Sequence, residues 1–381
     1  MSATNLQNFS GDVQIRGTTF IKANNNTNNL AIGTEAGATA QGTNTVAIGV
    51  QAGKTSQGAQ CVAVGYLTGN SEQGTVAVAM GNQAGKTSQG NYAVAVGSAA
   101  GLTEQGASSV AVGRLAGTSA QGTLTTAVGY AAGATSQGTH CVAVGQEAGK
   151  SNQGAFSTAL GSSAGFASQG TSAVAVGRLA GLSNQGTSTT AVGKESGKIS
   201  QGDYAVAVGY LAGLSNQGAY ATALGRDAGA TSQGVFATAV GSTAGKTNQE
   251  ALAVAIGRDS GTVSQGCHAV AVGYASGNSK QGSHATAVGH AAGLNVQGAF
   301  GVALGASAAA TSQGAFAVAL GHIAGNNNQG TQAVAVGYAA GQVSQGTQAV
   351  AMGYAAGTTN QATQAVAVGF QTGQVSQAAY S

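Results

Sequence analysis

The chain has 381 residues, of which 65 are glycine, while proline and tryptophan are absent. Its 13 basic and 10 acidic residues give a formal net charge of +3, spread too thinly for a nucleic-acid surface or a polybasic membrane patch. Glutamines interrupt every apolar stretch, so the sequence predicts no transmembrane helix and no membrane insertion. Residues 1–12 have neither the basic region nor the apolar region of a secretory signal peptide.

A glutamine recurs every 16 residues from Gln41 to Gln377, 22 times, without insertion or deletion. Each repeat, here called a rung, has the form x-x-A-V-A-V-G-x-x-A-G-x-x-x-Q-G, and its positions are numbered as columns 1 to 16 from Thr27. A closed globular core needs different side chains at each position, whereas a stack of equal coils needs the same ones. The pattern predicts an all-β fold, a parallel β-solenoid (β-roll) of 22 rungs over residues 27–378. Residues 1–26 would form a non-repeating N-terminal segment, and residues 379–381 a tail.

Columns 3 to 6 alternate as a β-strand does, so columns 3 and 5 point to one face and columns 4 and 6 to the other. Column 5 is always alanine, and column 10 opposite it is alanine, serine or threonine, which predicts a thin interior closed by small side chains. Column 7 is always glycine, which permits a positive φ where the strand turns a corner. These turn glycines include Gly33, Gly49, Gly65 and Gly369.

Columns 4 and 6 then form an aliphatic stripe on the outside of every coil. A soluble monomer rarely exposes so long an apolar surface, so we expect symmetry-related copies to cover it in a homotrimer. Column 6 of this stripe includes Ile32, Val64, Val176, Val208 and Val368.

The column 15 glutamines predict a ladder of amides that hydrogen-bond along the axis and to turn backbone, in preference to a ligand-binding comb. Members of this amide ladder are Gln41, Gln57, Gln73, Gln201 and Gln377.

Aromatic residues gather in columns 2 and 8, where they would either cover the edge of a subunit seam or bind a receptor or glycan. Column 2 carries Tyr92, Phe156, Tyr204, Tyr220, Phe236, Phe300 and Phe316; column 8 carries Tyr66, Tyr130, Tyr210, Tyr274, Tyr338, Tyr354 and Phe370.

His268 and His284 share column 2 on adjacent rungs, with rings expected ~5 Å apart. No acidic residue occupies a matching column nearby, so we expect no metal site. The three cysteines are interpreted as small fillers too far apart for a disulfide. No nucleophile–base–acid set and no phosphate loop can be assigned, so we expect neither a cofactor nor an enzyme.

The segments 62-VAVG-65 and 94-VAVG-97, each followed by a turn, resemble the head repeats of trimeric autotransporter adhesins over residues 27–378. That resemblance implies left-handed parallel β-rolls, three of which associate through aliphatic stripes. The constant period of 16 and its Gln-Gly pair depart from that family, and no heptad stalk or membrane-anchor strands are present. The Gln-Gly ladder is also similar to fibre proteins of large DNA viruses and phages.

In 11-GDVQIRGTTFIKA-23 the sequence predicts two short strands around a turn. They would cover the first rung or pair with the last rung of a neighbouring molecule, and the uncharged C-terminal rungs favour the second option and end-to-end assembly. We therefore expect a self-assembling structural fibre on a cell exterior or a virion surface, about 105 Å long at ~4.8 Å per rung, with a possible adhesive role. The alternative is an ice-binding solenoid, because column 13 is often threonine or serine, although seven rungs break that pattern.

Overall fold

The computed structural model describes residues 13–15, 18–24 and 28–380. Residues 1–184 and 185–381 form two compact units. The part of the predicted N-terminal segment outside these ranges is not described.

Every described element is a β-strand, and each rung except the last contributes one strand to each of two sheets. Sheet A takes columns 4 to 6, where alternating aliphatic and alanine residues favour extended backbone. Its strands are β3 (Asn29–Ile32), β5 (Val46–Ile48), β7 (Val62–Val64), β9 (Val78–Met80), β11 (Val94–Val96), β13 (Val110–Val112), β15 (Thr126–Val128), β17 (Val142–Val144), β19 (Thr158–Leu160), β21 (Val174–Val176), β23 (Thr190–Val192), β25 (Val206–Val208), β27 (Thr222–Leu224), β29 (Thr238–Val240), β31 (Val254–Ile256), β33 (Val270–Val272), β35 (Thr286–Val288), β37 (Val302–Leu304), β39 (Val318–Leu320), β41 (Val334–Val336), β43 (Val350–Met352) and β45 (Val366–Val368).

Sheet B takes columns 13 to 15, which end on the ladder glutamine. Its strands are β4 (Thr39–Gln41), β6 (Thr55–Gln57), β8 (Ser71–Gln73), β10 (Thr87–Gln89), β12 (Thr103–Gln105), β14 (Ser119–Gln121), β16 (Thr135–Gln137), β18 (Ser151–Gln153), β20 (Ala167–Gln169), β22 (Ser183–Gln185), β24 (Ile199–Gln201), β26 (Ser215–Gln217), β28 (Thr231–Gln233), β30 (Thr247–Gln249), β32 (Val263–Gln265), β34 (Ser279–Gln281), β36 (Asn295–Gln297), β38 (Thr311–Gln313), β40 (Asn327–Gln329), β42 (Val343–Gln345) and β44 (Thr359–Gln361).

Within each unit successive rungs pair in parallel, and the paired residues are sixteen apart. Val94 pairs with Val110 in sheet A, and Gln89 pairs with Gln105 in sheet B. The predicted parallel β-solenoid is therefore confirmed, with about 21 turns. In the last of the 22 predicted rungs, the second strand is reduced to a single bridge between Thr359 and Val375.

Small side chains fill the interior, as the sequence predicts. Alanines of columns 5 and 10 pack in continuous clusters within each unit, for example Ala207, Ala212, Ala223 and Ala228, all fully buried. Column 3 lies on the same side, and its residues are buried almost throughout. One feature differs from the prediction: the column 15 glutamines also lie inside the coil, and from Gln57 to Gln361 they are at most 5 % exposed. The interior is therefore polar along one side.

The turns depend on positive φ angles at five columns of each rung. Glycine takes two of them, with φ of +124° at Gly33 in column 7 and +51° at Gly37 in column 11. A Cβ at Gly33 would lie 2.7 Å from the carbonyl oxygen of Gly49, so glycine is also needed there for close stacking. Columns 2, 9 and 14 adopt the left-handed conformation without glycine, as at Asn28 (φ 50°) and Glu35 (φ 56°). This conformation disfavours L-residues, and the inter-rung hydrogen bonds must offset its cost.

The N-terminal segment contains the two predicted strands, β1 (Val13–Ile15) and β2 (Thr18–Asn24), paired antiparallel. Strand β2 also pairs antiparallel with β3, in a register that places Lys22 opposite Ala31. The segment thus lies along the first rung of its own chain. This is the intramolecular arrangement, and pairing with a neighbouring molecule, which the sequence favoured, stays a prediction.

Candidate functional site

The outer face of sheet A carries the aliphatic stripe. Ile32, Val64, Val176 and Val208 are each half-buried, because neighbouring rungs cover their flanks while their tips face solvent. Longer side chains in the same column reach further out: Met80, Leu160, Leu224, Ile256, Leu304 and Met352 are 40–46 % exposed. Val368, in the last A strand, is 60 % exposed. The stripe is a regular apolar surface that continues from rung to rung within each unit.

The amide ladder braces the interior of the coil. Gln73 donates from Nε2 to the carbonyl oxygen of Val62 across the coil (3.2 Å), to that of Ala77 (3.3 Å) and to Oε1 of Gln89 on the next rung (3.1 Å). Gln41 and Gln57 donate to the next glutamine in the same way, at 3.2 and 3.0 Å. Sequence reasoning assigned these amides to the axis and the turns, and it missed the bond across the interior to sheet A.

The same arrangement recurs in the second unit. Gln201 donates to the carbonyl oxygens of Thr190 (3.1 Å) and Ala205 (3.2 Å) and to Oε1 of Gln217 (3.0 Å). Gln377 in the last rung donates to the carbonyl oxygen of Val366 at 2.7 Å. Because each amide satisfies backbone carbonyls that the thin core would otherwise bury, the ladder has a structural role.

Aromatic rings of columns 2 and 8 form separate stacks of two to four rings on the surface. In column 2 Tyr204, Tyr220 and Phe236 stack with centroids 5.0 and 4.8 Å apart. In column 8 Tyr338 stacks on Tyr354 at 5.0 Å, and Arg258 lies 5.2 Å from the ring of Tyr274. The one-rung spacing of a β-sheet sets these distances. Both columns therefore carry rows of rings whose faces are turned towards each other, next to the A strands.

A second group of side chains meets where the sequence predicted none. Potential ligand atoms of Cys267, His268 and His284 all lie within 4.8 Å of one another. The two imidazole rings are stacked 4.8 Å apart, as expected from their shared column. The third member, Cys267, directly precedes His268. The sequence prediction excluded a metal site because acidic residues are missing nearby, and it did not weigh this cysteine as a ligand. The adjacent cysteine and histidine, with a histidine sixteen residues later, were the overlooked signal.

The other two cysteines are fillers, as predicted. Cys61 and Cys141 are fully buried in column 3, where the Cys61 thiol donates to the carbonyl oxygen of Gly74 (2.7 Å) and that of Cys141 to Gly154 (2.9 Å). Burial raises the pKa of the Cys61 thiol. All three cysteines are free thiols.

Charged side chains pair locally in the turns. Lys54 lies 2.9 Å from Glu35, Lys198 lies 3.1 Å from Glu195, and Arg258 lies 3.1 Å from Asp259. A hydrogen bond from Lys54, together with one from Gln51, lowers the pKa of Glu35. These exposed pairs order the turns and contribute little to stability.

Comparison with known proteins finds no family model, no curated protein and no solved structure that matches this chain. The likeness to adhesin heads and viral fibres therefore stays a prediction from sequence. Within the described residues no helix could span a bilayer.

Proposed function

We propose that this protein is a structural fibre subunit whose aliphatic stripe packs against identical copies of itself in a homotrimer. The observation that carries the proposal is the exposure of column 6. Met80, Leu160 and Leu224, among the largest apolar side chains of the sheet, project outward at 44–46 % exposure, while the interior holds alanine and glutamine. A sequence selected only for a stable monomer would place these side chains inside.

The stripe suits association of like copies because it repeats. Val208 and Val240 occupy the same column two rungs apart, and the strands between them pair in strict register. A second copy with the same period meets matching residues at every rung, so contact area grows with the number of rungs. Three-fold closure buries two edges of each stripe, whereas a dimer leaves more of columns 4 and 6 exposed.

The repeat also fits a load-bearing or spacing role. Each rung bonds to the next through backbone ladders and through buried amides, such as Gln201 to Gln217, so a stack of rungs resists local unfolding. We propose that the assembled rod is left-handed in its coils, lies on a cell exterior or a virion, and adds to itself end to end. The stacked rings of columns 2 and 8 provide a surface for a receptor or a glycan.

The test compares two double variants by native mass spectrometry and sedimentation velocity. Val176→Asp with Val208→Asp places two charges in the stripe, and the trimer should dissociate because unpaired carboxylates would be buried at the contact. Ser183→Asp with Ser215→Asp places the same charges in column 13 of the same rungs, on sheet B, and should leave the trimer intact. A monomeric wild-type protein, or a trimer that survives the first pair, overturns the proposal.

The ice-binding alternative needs a uniform rank of free hydroxyls in column 13. Thr55 and Thr103 donate their hydroxyls to backbone carbonyls of the next rung, at 3.1 and 3.3 Å. Ile199 and Val263 interrupt the column. The fibre is therefore the better supported function, and absence of thermal hysteresis at micromolar protein concentrations would eliminate the alternative.

A further inference from the structure

We propose that Cys267, His268 and His284 bind a single Zn²⁺ ion on the surface of the second unit. A thiolate and two imidazoles are ligands that Zn²⁺ favours, and three protein ligands with an open fourth position are a common zinc arrangement. The three potential ligand atoms already lie within 4.8 Å of one another.

The distances between the three ligand atoms are short enough for all three side chains to bind one ion. Zn–N bonds of about 2.0–2.1 Å and a Zn–S bond of about 2.3 Å place tetrahedral ligand atoms roughly 3.3–3.8 Å apart. The cluster must therefore contract by about 1 Å or slightly more. Both histidines are exposed and Cys267 is partly exposed. Rotation of exposed side chains provides the contraction without movement of the rungs.

The backbone holds the ligands at a fixed spacing. The amide N–H of His284 donates to the carbonyl oxygen of Cys267 at 2.9 Å, which locks the two rungs together at the site. The amide N–H of Cys267 donates to Oε2 of Glu250, also at 2.9 Å. The Glu250 carboxylate thus adds negative charge close to the thiol. Glu250 is itself unusual, because column 16 is glycine in nearly every other rung.

Two comparisons within the chain distinguish this cluster from an ordinary surface stack. His140 also stacks on a neighbour in column 2, with centroids 4.9 Å apart, but that neighbour is Phe156, which offers no ligand. Cys61 and Cys141 lie in the buried interior of column 3, out of reach of an exposed histidine. Only at Cys267 does the chain place a thiol in column 1, directly beside two imidazoles.

Titration of the full-length protein with Co²⁺, a spectroscopic substitute for Zn²⁺, tests the site. We expect one equivalent per chain, with a thiolate-to-metal charge-transfer band that Zn²⁺ abolishes, and protection of Cys267 from iodoacetamide by Zn²⁺. Cys267→Ser should remove the band, and His284→Ala should weaken binding by more than about tenfold. His140→Ala is the matched control and should bind as the wild type does.

A variant that is expected to bind Zn²⁺ more tightly provides a second test of the site. Ser283 occupies column 1 on the rung after Cys267, so Ser283→Cys would complete a set of two cysteines and two histidines. Zn²⁺ affinity should rise by about tenfold or more. Thr171→Cys adds a thiol to the same column far from either histidine and should leave the affinity unchanged. A wild-type protein without the charge-transfer band, or a band that persists in Cys267→Ser, would overturn the proposal.

Discussion

Ala309 and Gly301 compensate for each other within one rung. Ala309 is the only residue other than glycine in column 11, and Gly301 is the only glycine in column 3. In other rungs the ladder amide oxygen lies against column 11, as at Gly293, where an added Cβ would stand 2.9 Å from Oε1 of Gln297. Here the Ala309 methyl fills that space, and Oε1 of Gln313 lies 2.8 Å from the position that a Cβ of Gly301 would take. This oxygen has no hydrogen-bond partner, as is also true of Oε1 in four other ladder glutamines, Gln121, Gln137, Gln169 and Gln185.

A double-mutant cycle tests this compensation. Gly301→Ala should destabilise the protein by about 1–3 kcal/mol, because its methyl would overlap the Gln313 amide in a closed interior. Ala309→Gly should reduce that cost by returning the amide to its usual place, with a coupling energy of about 0.5 kcal/mol or more in urea unfolding. Additive effects of the two changes would contradict the compensation.

Replacement of a glutamine by glutamate should destabilise the protein far more in the buried amide ladder than on the surface of the coil. Nε2 of Gln217 donates to the carbonyl oxygens of Val206 (2.8 Å) and Ala221 (3.2 Å) and to Oε1 of Gln233 (3.1 Å). Gln217→Glu turns these contacts into buried oxygen–oxygen repulsions, which should cost several kcal/mol.

The control is a glutamine ladder on the surface. Gln348 is exposed and donates to Gln332 at 3.1 Å, so Gln348→Glu should change the free energy of unfolding by no more than about 0.5 kcal/mol. Equal shifts of the thermal midpoint in the two variants would show that the buried amide does not brace the coil.

The solenoid is predictable from the sequence because the period of the repeat also sets the register of the paired strands. Sixteen-residue spacing brings Gln89 opposite Gln105 in any parallel stack, and alternation places Ala95 inside and Val96 outside. The interior path of the glutamines was missed because columns 13 and 15 do not share one face as they would in an ideal strand. The left-handed conformation at Ser88 and its equivalents turns the next side chain inward, and serine there gives no signal of a positive φ.

Left-handed backbone at a β-branched residue offers a stabilising substitution. Val296 has φ of 44° in column 14, where several rungs carry asparagine, and it is 46 % exposed. Val296→Asn should raise stability by about 1 kcal/mol, because asparagine tolerates this conformation better than valine. Val263, 42 % exposed in column 13, does not itself have a positive φ, although the next residue, Ser264, does. Val263→Asn should therefore lower the free energy of unfolding in the same assay.

Thiol labelling should divide the cysteines into two classes. Cys61 and Cys141 are buried, and the raised pKa of Cys61 keeps its thiol protonated, so neither should react with a chromogenic disulfide at about pH 8. Cys267 should react at once, and the other two only after unfolding. Because the folded pKa of Cys61 exceeds its unfolded value, its contribution to stability is full below the unfolded value. That contribution is lost as pH rises through the folded value. Rapid labelling of more than one native thiol would contradict this burial.

The candidate metal cluster includes two residues that are neighbours along the chain. Side chains of chain neighbours normally diverge along a strand, so the shared column of His268 and His284 does not by itself indicate Cys267. In the turn at columns 1 and 2, where His268 has φ of 56°, the ligand atoms of Cys267 and His268 lie within 4.8 Å of each other. The same turn geometry brings the Cys267 thiol toward both imidazoles.

Strand pairing at a constant spacing of sixteen residues also affects how the length of the protein can change by mutation. Each rung bonds only to its immediate neighbours, and its strands meet partners of nearly the same sequence, as Val206 meets Thr222 and Ala207 meets Ala223. An in-frame duplication or loss of one rung leaves every remaining contact in register, whereas a shift of a single residue disrupts the sheets. Length is consequently a trait that replication slippage between similar repeats can alter in one step, without an intermediate that fails to fold.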